Sequence, residues 1–407
     1  MYDLSGIGVH IEISANCNSR CLDCGRYVKG TDLVNPYLEI GSKGLMSLAT
    51  VNNVFDEEIS KNLRYVNFTG TYGEATTHPN FFDILNLIAD NVDRQKEHRL
   101  SHGSTDKVKL MIETNGGMHT PEYWREFSNI VKNRFARDSV IIFGIDGTDD
   151  DTHQMYRRGV NFDKVLANAA AVIDNKVNAV WSMISFNHNE HQLDNAKTMS
   201  KSLGFKAFKI RRSRLRSVAT QTVTVLSNEY QKKKNISAEE LSYSSEHSKF
   251  FTVTNAKSDR FYFENKIDSY FDETSVECEW KITNKVNVDY TSRVWQCCYF
   301  STFYHAPVEY HNLDKVKDLN FVDRIKDYEK LSHYENQYEP GWNFASLHKL
   351  SDILNHSFFT KDLVNSFNNS TSDVKYPRIY RCAKHCGERA RNLDTELRKI
   401  NEKIEQK

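Results

Sequence analysis

The chain lacks the features that would make several functions easy to assign. It carries no excess of charge: 54 Lys and Arg stand against 54 Asp and Glu across 407 residues. Such a balance argues against a protein that coats nucleic acid by bulk electrostatics, although local patches are compatible with it. No run of 18 or more apolar residues occurs, so a membrane span is not expected. The first residues, MYDLSGIGVH, have no basic stretch followed by an apolar one, so no secretory signal is expected and the cytoplasm is the expected compartment. There is no internal repeat and no low-complexity tract. In an unsecreted chain, eight cysteines read as metal ligands or reactive thiols before disulfides.

What is present is a soluble composition, 39% hydrophobic and 27% charged, long enough for two to three domains. A short apolar segment at 9–13 leads into Cys17, Cys21 and Cys24. A polar loop at 28–43 and a helix at 45–62 follow. Strands are then predicted at 64–69, 108–113, 139–145, 177–185 and 205–210, with helices at 81–92, 122–135, 162–175 and 190–203. Six strand-then-helix alternations between residue 9 and about 212 predict an α/β fold with parallel strands and helical crossovers, a partial (βα)6 barrel. Cys17–Cys24, Gly70–Glu74, Thr114–Gly117 and Asp146 each follow a predicted strand, which gathers them on one rim, where barrel enzymes place their sites.

Three thiolates within eight residues can hold three corners of an iron–sulfur cube and leave one iron open. Neither a nearby His nor a fourth Cys completes a structural zinc site there. Glu74 lies in a Gly-flanked turn, where a carboxylate can accept from an ammonium group. The positive-φ demand of a turn is an alternative reason for Asn115 and Gly116. Lys206, Lys209, Arg211, Arg212, Arg214 and Arg216 form a basic cluster beginning inside the sixth strand. It reads as a solvated face or as a site for an anionic substrate.

The spacing Cys17-x3-Cys21-x2-Cys24 resembles the signature of the radical S-adenosylmethionine (radical SAM) enzymes. FTGTYGEATTHP resembles their GGEP segment, with Tyr72 for its first Gly and Ala75 for its Pro, leaving Gly73 and Glu74. Thr114-Asn115-Gly116 matches the family's TNG. Gly144-Ile145-Asp146-Gly147 resembles S-x-D-G with Gly144 in place of Ser. DDTHQMYRRG resembles H-x-x-x-R-x-G, with His153 and Arg157 or Arg158. The resemblance implies SAM bound at the open iron, with Gly73, Glu74, Asn115, Asp146, Arg157 and Asn187 as cofactor-binding residues. It implies Asp146 on the ribose hydroxyls, an Arg on the carboxylate, and Asn187 and Asn189 beside the adenosine. His153 alone reads as structural.

The other five cysteines are Cys278, Cys297, Cys298, Cys382 and Cys386, behind a bridging segment at 213–275 and around a strand-turn-strand piece at 287–295. Four thiolates suit a tetrahedral zinc or a fully ligated four-iron cluster. Residues 276–391 resemble the family's SPASM/twitch extension, an α+β unit. The twitch form, with one auxiliary cluster, fits five cysteines; the SPASM form uses seven or eight. The resemblance implies Cys278, Cys297, Cys382 and Cys386 as ligands. Cys298 is left as an alternative ligand, a catalytic or substrate-facing thiol, or an inert core residue. An amphipathic helix at 392–407 closes the chain.

The implied activity is reductive cleavage of SAM at a [4Fe-4S] cluster to a 5′-deoxyadenosyl radical, which abstracts hydrogen from a substrate C–H bond. An oxidoreductase or dehydrogenase is expected, supplied by a one-electron donor such as flavodoxin or ferredoxin. The auxiliary [4Fe-4S] cluster would accept an electron or anchor substrate. With a barrel starting by residue 9 and no peptide-recognition domain before it, a small-molecule substrate is expected. The alternatives are a maturase that modifies peptide or protein side chains and a non-catalytic zinc- or cluster-stabilised binding protein.

Overall fold

The structure is a computed structural model. It describes residues 1–21, 24–27, 34–35, 38–186, 188–211, 272, 274–304 and 331–387, with backbone only at 302–304, 384 and 385. Asn187, Arg212, Arg214 and Arg216, the bridging segment apart from 272, 274 and 275, and the carboxyl-terminal helix lie outside the described residues.

Six parallel strands form the expected sheet: β1 (Ile7–Ile11), β2 (Leu63–Phe68), β3 (Lys109–Thr114), β4 (Val140–Gly144), β5 (Asn178–Ile184) and β6 (Ala207–Arg211). They follow chain order from β1 outward to β6, each parallel to the one before. Two further strands extend the other edge. β7 (Lys285–Val288) lies parallel to β1, and β8 (Val294–Trp295) is its antiparallel hairpin partner. The strand-turn-strand reading at 287–295 holds. Its attachment to β1 was not expected, and it bonds the cysteine-rich extension directly to the strand that leads into Cys17.

Helices cover one face of the sheet. Those used below are α1 (Leu48–Val54), α2 (Glu57–Asn62), α3 (Phe81–Asp93), α5 (Pro121–Arg134), α6 (Asp150–Tyr156), α7 (Phe162–Asp174) and α8 (Leu193–Ser202), with a short α4 (Lys96–Ser101) after α3. α3 buries Phe81, Ile84, Leu85, Ile88, Ala89 and Val92, the one-sided stripe that its sequence period dictates. The helix expected over 45–62 is two helices. Asp56 accepts from the N–H of Ile59 to start α2, while its other oxygen accepts from the N–H of Ser351, so the carboxylate sets a new helix start. The helix expected from residue 190 opens with a 3-10 turn before α8.

Alternation along the strands divides the two faces. Val9, Ile11, Val66, Phe68, Leu110, Ile112, Phe143 and Trp181 join the helix-side core, whereas His10, Asn67, Glu113, Ser182 and Arg211 turn to the concave face. Among the described residues no helix is long and apolar enough to cross a membrane.

Candidate functional site

The loop after β1 carries Cys17, Cys21 and Cys24 and is stitched to three neighbouring strand-end loops. The N–H of Glu74 donates to the Asn16 carbonyl at 2.7 Å, and Thr77 Oγ1 donates to the same carbonyl at 3.1 Å. Gly73 lies against this loop: a Cβ there would stand 1.9 Å from the Ser14 carbonyl oxygen, so only glycine allows the approach. Asn115 Nδ2 donates to Asn18 Oδ1 at 2.9 Å and approaches Cys17 Sγ at 3.7 Å. The Arg20 N–H donates to the Arg158 carbonyl at 2.9 Å.

Glu74 is 4% exposed, and both of its carboxylate oxygens accept from protein donors. Oε1 accepts from Thr114 Oγ1 at 2.8 Å and Thr76 Oγ1 at 3.1 Å, and Oε2 accepts from the Asn115 N–H at 2.8 Å. Burial pushes its pKa up, and hydrogen bonds from Asn115, Thr114 and Thr76 oppose the shift. Glu74 therefore orients Asn115 and the third strand end. Thr76, Thr114 and Asn18 escaped the sequence reading as site residues, although Thr114 stands in the motif that drew attention to Asn115.

Asp146 has 0% exposure. Its Oδ2 accepts from Arg157 Nε at 2.6 Å, its Oδ1 from the Ile184 N–H at 2.5 Å, and its own N–H donates to His153 Nδ1 at 3.1 Å. Burial raises the Asp146 pKa against the pull of Arg157. Burial lowers that of Arg157, but Asp146 and then Cys21 outweigh it and leave the guanidinium more firmly protonated. Arg157 is thus already engaged and lies beside the first cysteine set. Asn189 is likewise consumed: its Oδ1 accepts from the Phe186 N–H and its Nδ2 donates to the carbonyls of Asp146 and Ile184. His188, passed over in the sequence, stacks on Phe186 after β5 with neither ring nitrogen partnered.

The first thiols favour their neutral form without a cation beside them. Burial, then Glu74, then Cys21 push Cys17 up to about 12, and burial raises Cys21. Thiolate ligands at these positions call for positive charge of the kind that iron supplies. Ser19 meets the set with its N–H on Cys17 Sγ at 3.4 Å and its hydroxyl against Cys21 Sγ at 3.0 Å. These donors fit a sulfur-ligated cluster.

The second set surrounds one cavity. Cys278, Cys297, Cys382 and Cys386 line it with Gln296, Tyr299, Phe300, Leu363, Phe367 and Arg381. Cys298 is not among the lining residues. Burial first, then Cys298 and Cys386, raises Cys297; a hydrogen bond with Cys278 is the largest cause of the rise at Cys386. Among the described residues no three His, Cys, Asp or Glu side chains converge on a point that could hold a single metal ion.

Residues 11–199 match the Radical SAM superfamily. No curated protein sequence matches the chain significantly. Among solved structures, anSMEcpe with bound AdoMet is similar at 12% identity and a TM-score of 0.50, over 98% of this chain and 95% of that one. Its complex with AdoMet and a Cp18Cys peptide aligns at 12% identity and 0.49, over 98% and 99%. SuiB of Streptococcus suis aligns at 13% identity and 0.42, over 74% and 62%. At these identities the likeness shows the fold alone.

Proposed function

We propose, from the radical SAM domain at residues 11–199, that this chain cleaves SAM reductively and uses the resulting radical on a small-molecule substrate. That domain implies a [4Fe-4S] cluster and SAM. The cluster with SAM bound supplies, on one-electron reduction, methionine and a 5′-deoxyadenosyl radical able to take hydrogen from an unreactive C–H bond. Cys17, Cys21 and Cys24 would hold the cluster. Asn115 keeps the cysteine loop in register through Asn18, and Glu74 fixes Asn115 in turn. Arg157, braced on Asp146, supplies positive charge beside Cys21. Gly73 lets the second strand-end loop close on the first.

The observation that carries this reading is the hydrogen-bonded chain Glu74–Asn115–Asn18, which ties the cysteine loop to the ends of β2 and β3. An isolated three-cysteine spacing would lack such support.

For the second set, the common cavity favours one auxiliary cluster held by Cys278, Cys297, Cys382 and Cys386, with an electron-accepting or substrate-anchoring role. A cytoplasmic setting with a flavodoxin- or ferredoxin-like donor, and oxidoreductase chemistry, complete the proposal.

The test is anaerobic reconstitution, reduction and assay for 5′-deoxyadenosine. About eight irons with matching sulfide per chain are expected, four for each cluster. Cys17→Ala, Cys21→Ala and Cys24→Ala should each abolish SAM cleavage and leave the second set's iron in place. Persistent cleavage in the triple variant, or zinc without sulfide, would refute the assignment.

A further inference from the structure

The loop after β3 runs on past Asn115 and takes hold of the neighbouring strand-end segment a second time. Thr114 and Asn115 grip residues 74–77 by the Glu74 carboxylate. Four residues beyond Asn115, His119 Nε2 stands 2.6 Å from the Thr76 carbonyl oxygen. A carbonyl oxygen can only accept, so Nε2 carries the proton and donates. Thr76 in turn donates its hydroxyl to Glu74 Oε1 at 3.1 Å. The same segment is tied to the cysteine loop, through the Glu74 N–H and the Thr77 hydroxyl on the Asn16 carbonyl. Residues 74–77 therefore form a wedge between the loops after β1 and β3, and His119 is a second fastening on the β3 side.

Backbone and side chain at residue 119 are both set for this contact. His119 has φ +61°, in the left-handed region that glycine enters freely and a residue with a Cβ does not. Gly116, three residues earlier, has φ +68°, so two left-handed residues shape the loop before α5 starts at Pro121. Between them the Met118 carbonyl is pinned, accepting from Trp124 Nε1 at 3.0 Å and Asn168 Nδ2 at 3.1 Å. The imidazole lies flat on Tyr123, with centroids 3.8 Å apart and planes 14° apart, and Tyr123 stacks on Phe82 of α3 at 4.6 Å. A histidine stands where glycine would turn the chain without strain, and its ring is fixed by stacking. Such an outlier points to a task for the ring. The polar contact it makes is with the carbonyl two residues after Glu74.

Without that bond, residues 74–77 are held toward β3 through the Glu74 carboxylate alone. The short 3-10 turn Ala75–Thr77 could then pivot about that point. Glu74 sets Asn115, and Asn115 sets Asn18 in the cysteine loop. A tilt at Thr76 is passed along this chain to the loop that bears Cys17. Sites of this kind lose function when the residues behind them loosen, even where every group that touches the ligand is intact.

We propose that His119 is a positioning residue for the first cysteine set, fastening the Glu74 segment so that the cysteine loop keeps the geometry that receives SAM. This rests on the radical SAM reading of that site.

Replacements at residue 119 separate the donor from the ring and from the backbone. Gln carries an N–H about as far from Cβ as His Nε2, Phe keeps the stack on Tyr123 without a donor, and Gly frees the backbone and removes the ring. Each variant is compared with the wild type as the full-length, anaerobically reconstituted protein. Hydrogen-exchange mass spectrometry over residues 73–78 reads the fastening without SAM. SAM affinity is read from the change in the electron paramagnetic resonance spectrum of the reduced cluster as SAM is added. His119→Phe and His119→Gly should each speed exchange in that segment and weaken SAM binding by about threefold to tenfold, the range of one net hydrogen bond. The iron of the second set should be retained in both. His119→Gln keeps the donor and should stay within about twofold of the wild type in both measurements. Unchanged exchange in the Phe and Gly variants, faster exchange with unaltered SAM affinity, or a Gln variant as impaired as Phe would overturn the proposal. A wild-type protein that binds no SAM would sink the radical reading and the proposal with it. Any of the three preceding results in a protein with full iron and 5′-deoxyadenosine formation would sink the proposal alone.

Discussion

Gly144 leaves open the space that the Arg157 guanidinium fills: a Cβ at residue 144 would stand 2.3 Å from Nη2 and 2.6 Å from Cζ. The residue that departs from the family's S-x-D-G pattern is thus the one that lets Arg157 lie over β4 and reach Asp146. The lost hydroxyl and the seated arginine are two sides of one arrangement.

Restoring the side chain should therefore do harm. Gly144→Ser is expected to displace Arg157 and cost about 1–3 kcal/mol, the usual range for overpacking a filled space. Urea unfolding measures that cost. SAM cleavage should fall as well, because Asp146, at 0% exposure, loses its charged partner. A variant as stable and active as the parent would show that the arginine is free to move.

Glu74→Gln tests whether the carboxylate organises the rim. Its partners are donors, from Thr76, Thr114 and the Asn115 N–H. A carboxamide turns one acceptor into a donor and sets it against another donor. The expected loss is about 1.5–3 kcal/mol, that of a hydrogen bond to a charged group. Iron loading at Cys17, Cys21 and Cys24 should drop while the second set keeps its iron. Iron and sulfide analysis of the purified variant checks this.

Much of the fold was legible because it rests on periodicity. Strands apolar on alternate positions and helices such as α3, with one buried stripe, declare themselves in sequence, and the motif residues follow as strand-end loops. What could not be read is pairing at a distance. β7 has four residues in polar surroundings, and nothing local says that it joins β1. The partners of Glu74 and Asp146 were hidden for the same reason. Buried carboxylates need donors, and here neighbouring loops supply them. Arg211 in β6 pairs with Glu113 in β3 across β4 and β5 only because the sheet curves, which no run of residues encodes.

Two buried histidines, His153 and His10, contribute to the acid limb of stability. His153, at 0% exposure, is held neutral with a pKa lowered to about 3, by burial and then by Arg157; His10 is lowered to about 4. The unfolded chain protonates these rings near 6.5. Their contribution is therefore complete above about 6.5 and is lost as pH falls toward their folded values, because the unfolded state takes up protons first. Each ring should add about 1.4 kcal/mol per pH unit to the slope within that window. Urea unfolding of His153→Gln between pH 7 and 4.5 should show a slope shallower by one proton, and an unchanged slope would remove His153 from the account.

Cys297 and Cys298 are adjacent, and the cavity distinguishes them. Cys297 lines it together with Cys278, Cys382 and Cys386, while Cys298 opens the following helix (Cys298–Tyr304) and is not among its lining residues. A four-iron cluster with four protein ligands uses one thiolate per iron. Cys297→Ser should therefore cut iron by about half and leave SAM cleavage at the first cluster measurable. Cys298→Ser should keep the full complement of iron and sulfide. If Cys298 instead acts on substrate as a thiol, its serine variant would keep both clusters and SAM cleavage but fail to turn over substrate. Iron and sulfide analysis with the 5′-deoxyadenosine assay on the two variants separates ligand from bystander. Iron loss in Cys298→Ser with retention in Cys297→Ser would reverse the assignment.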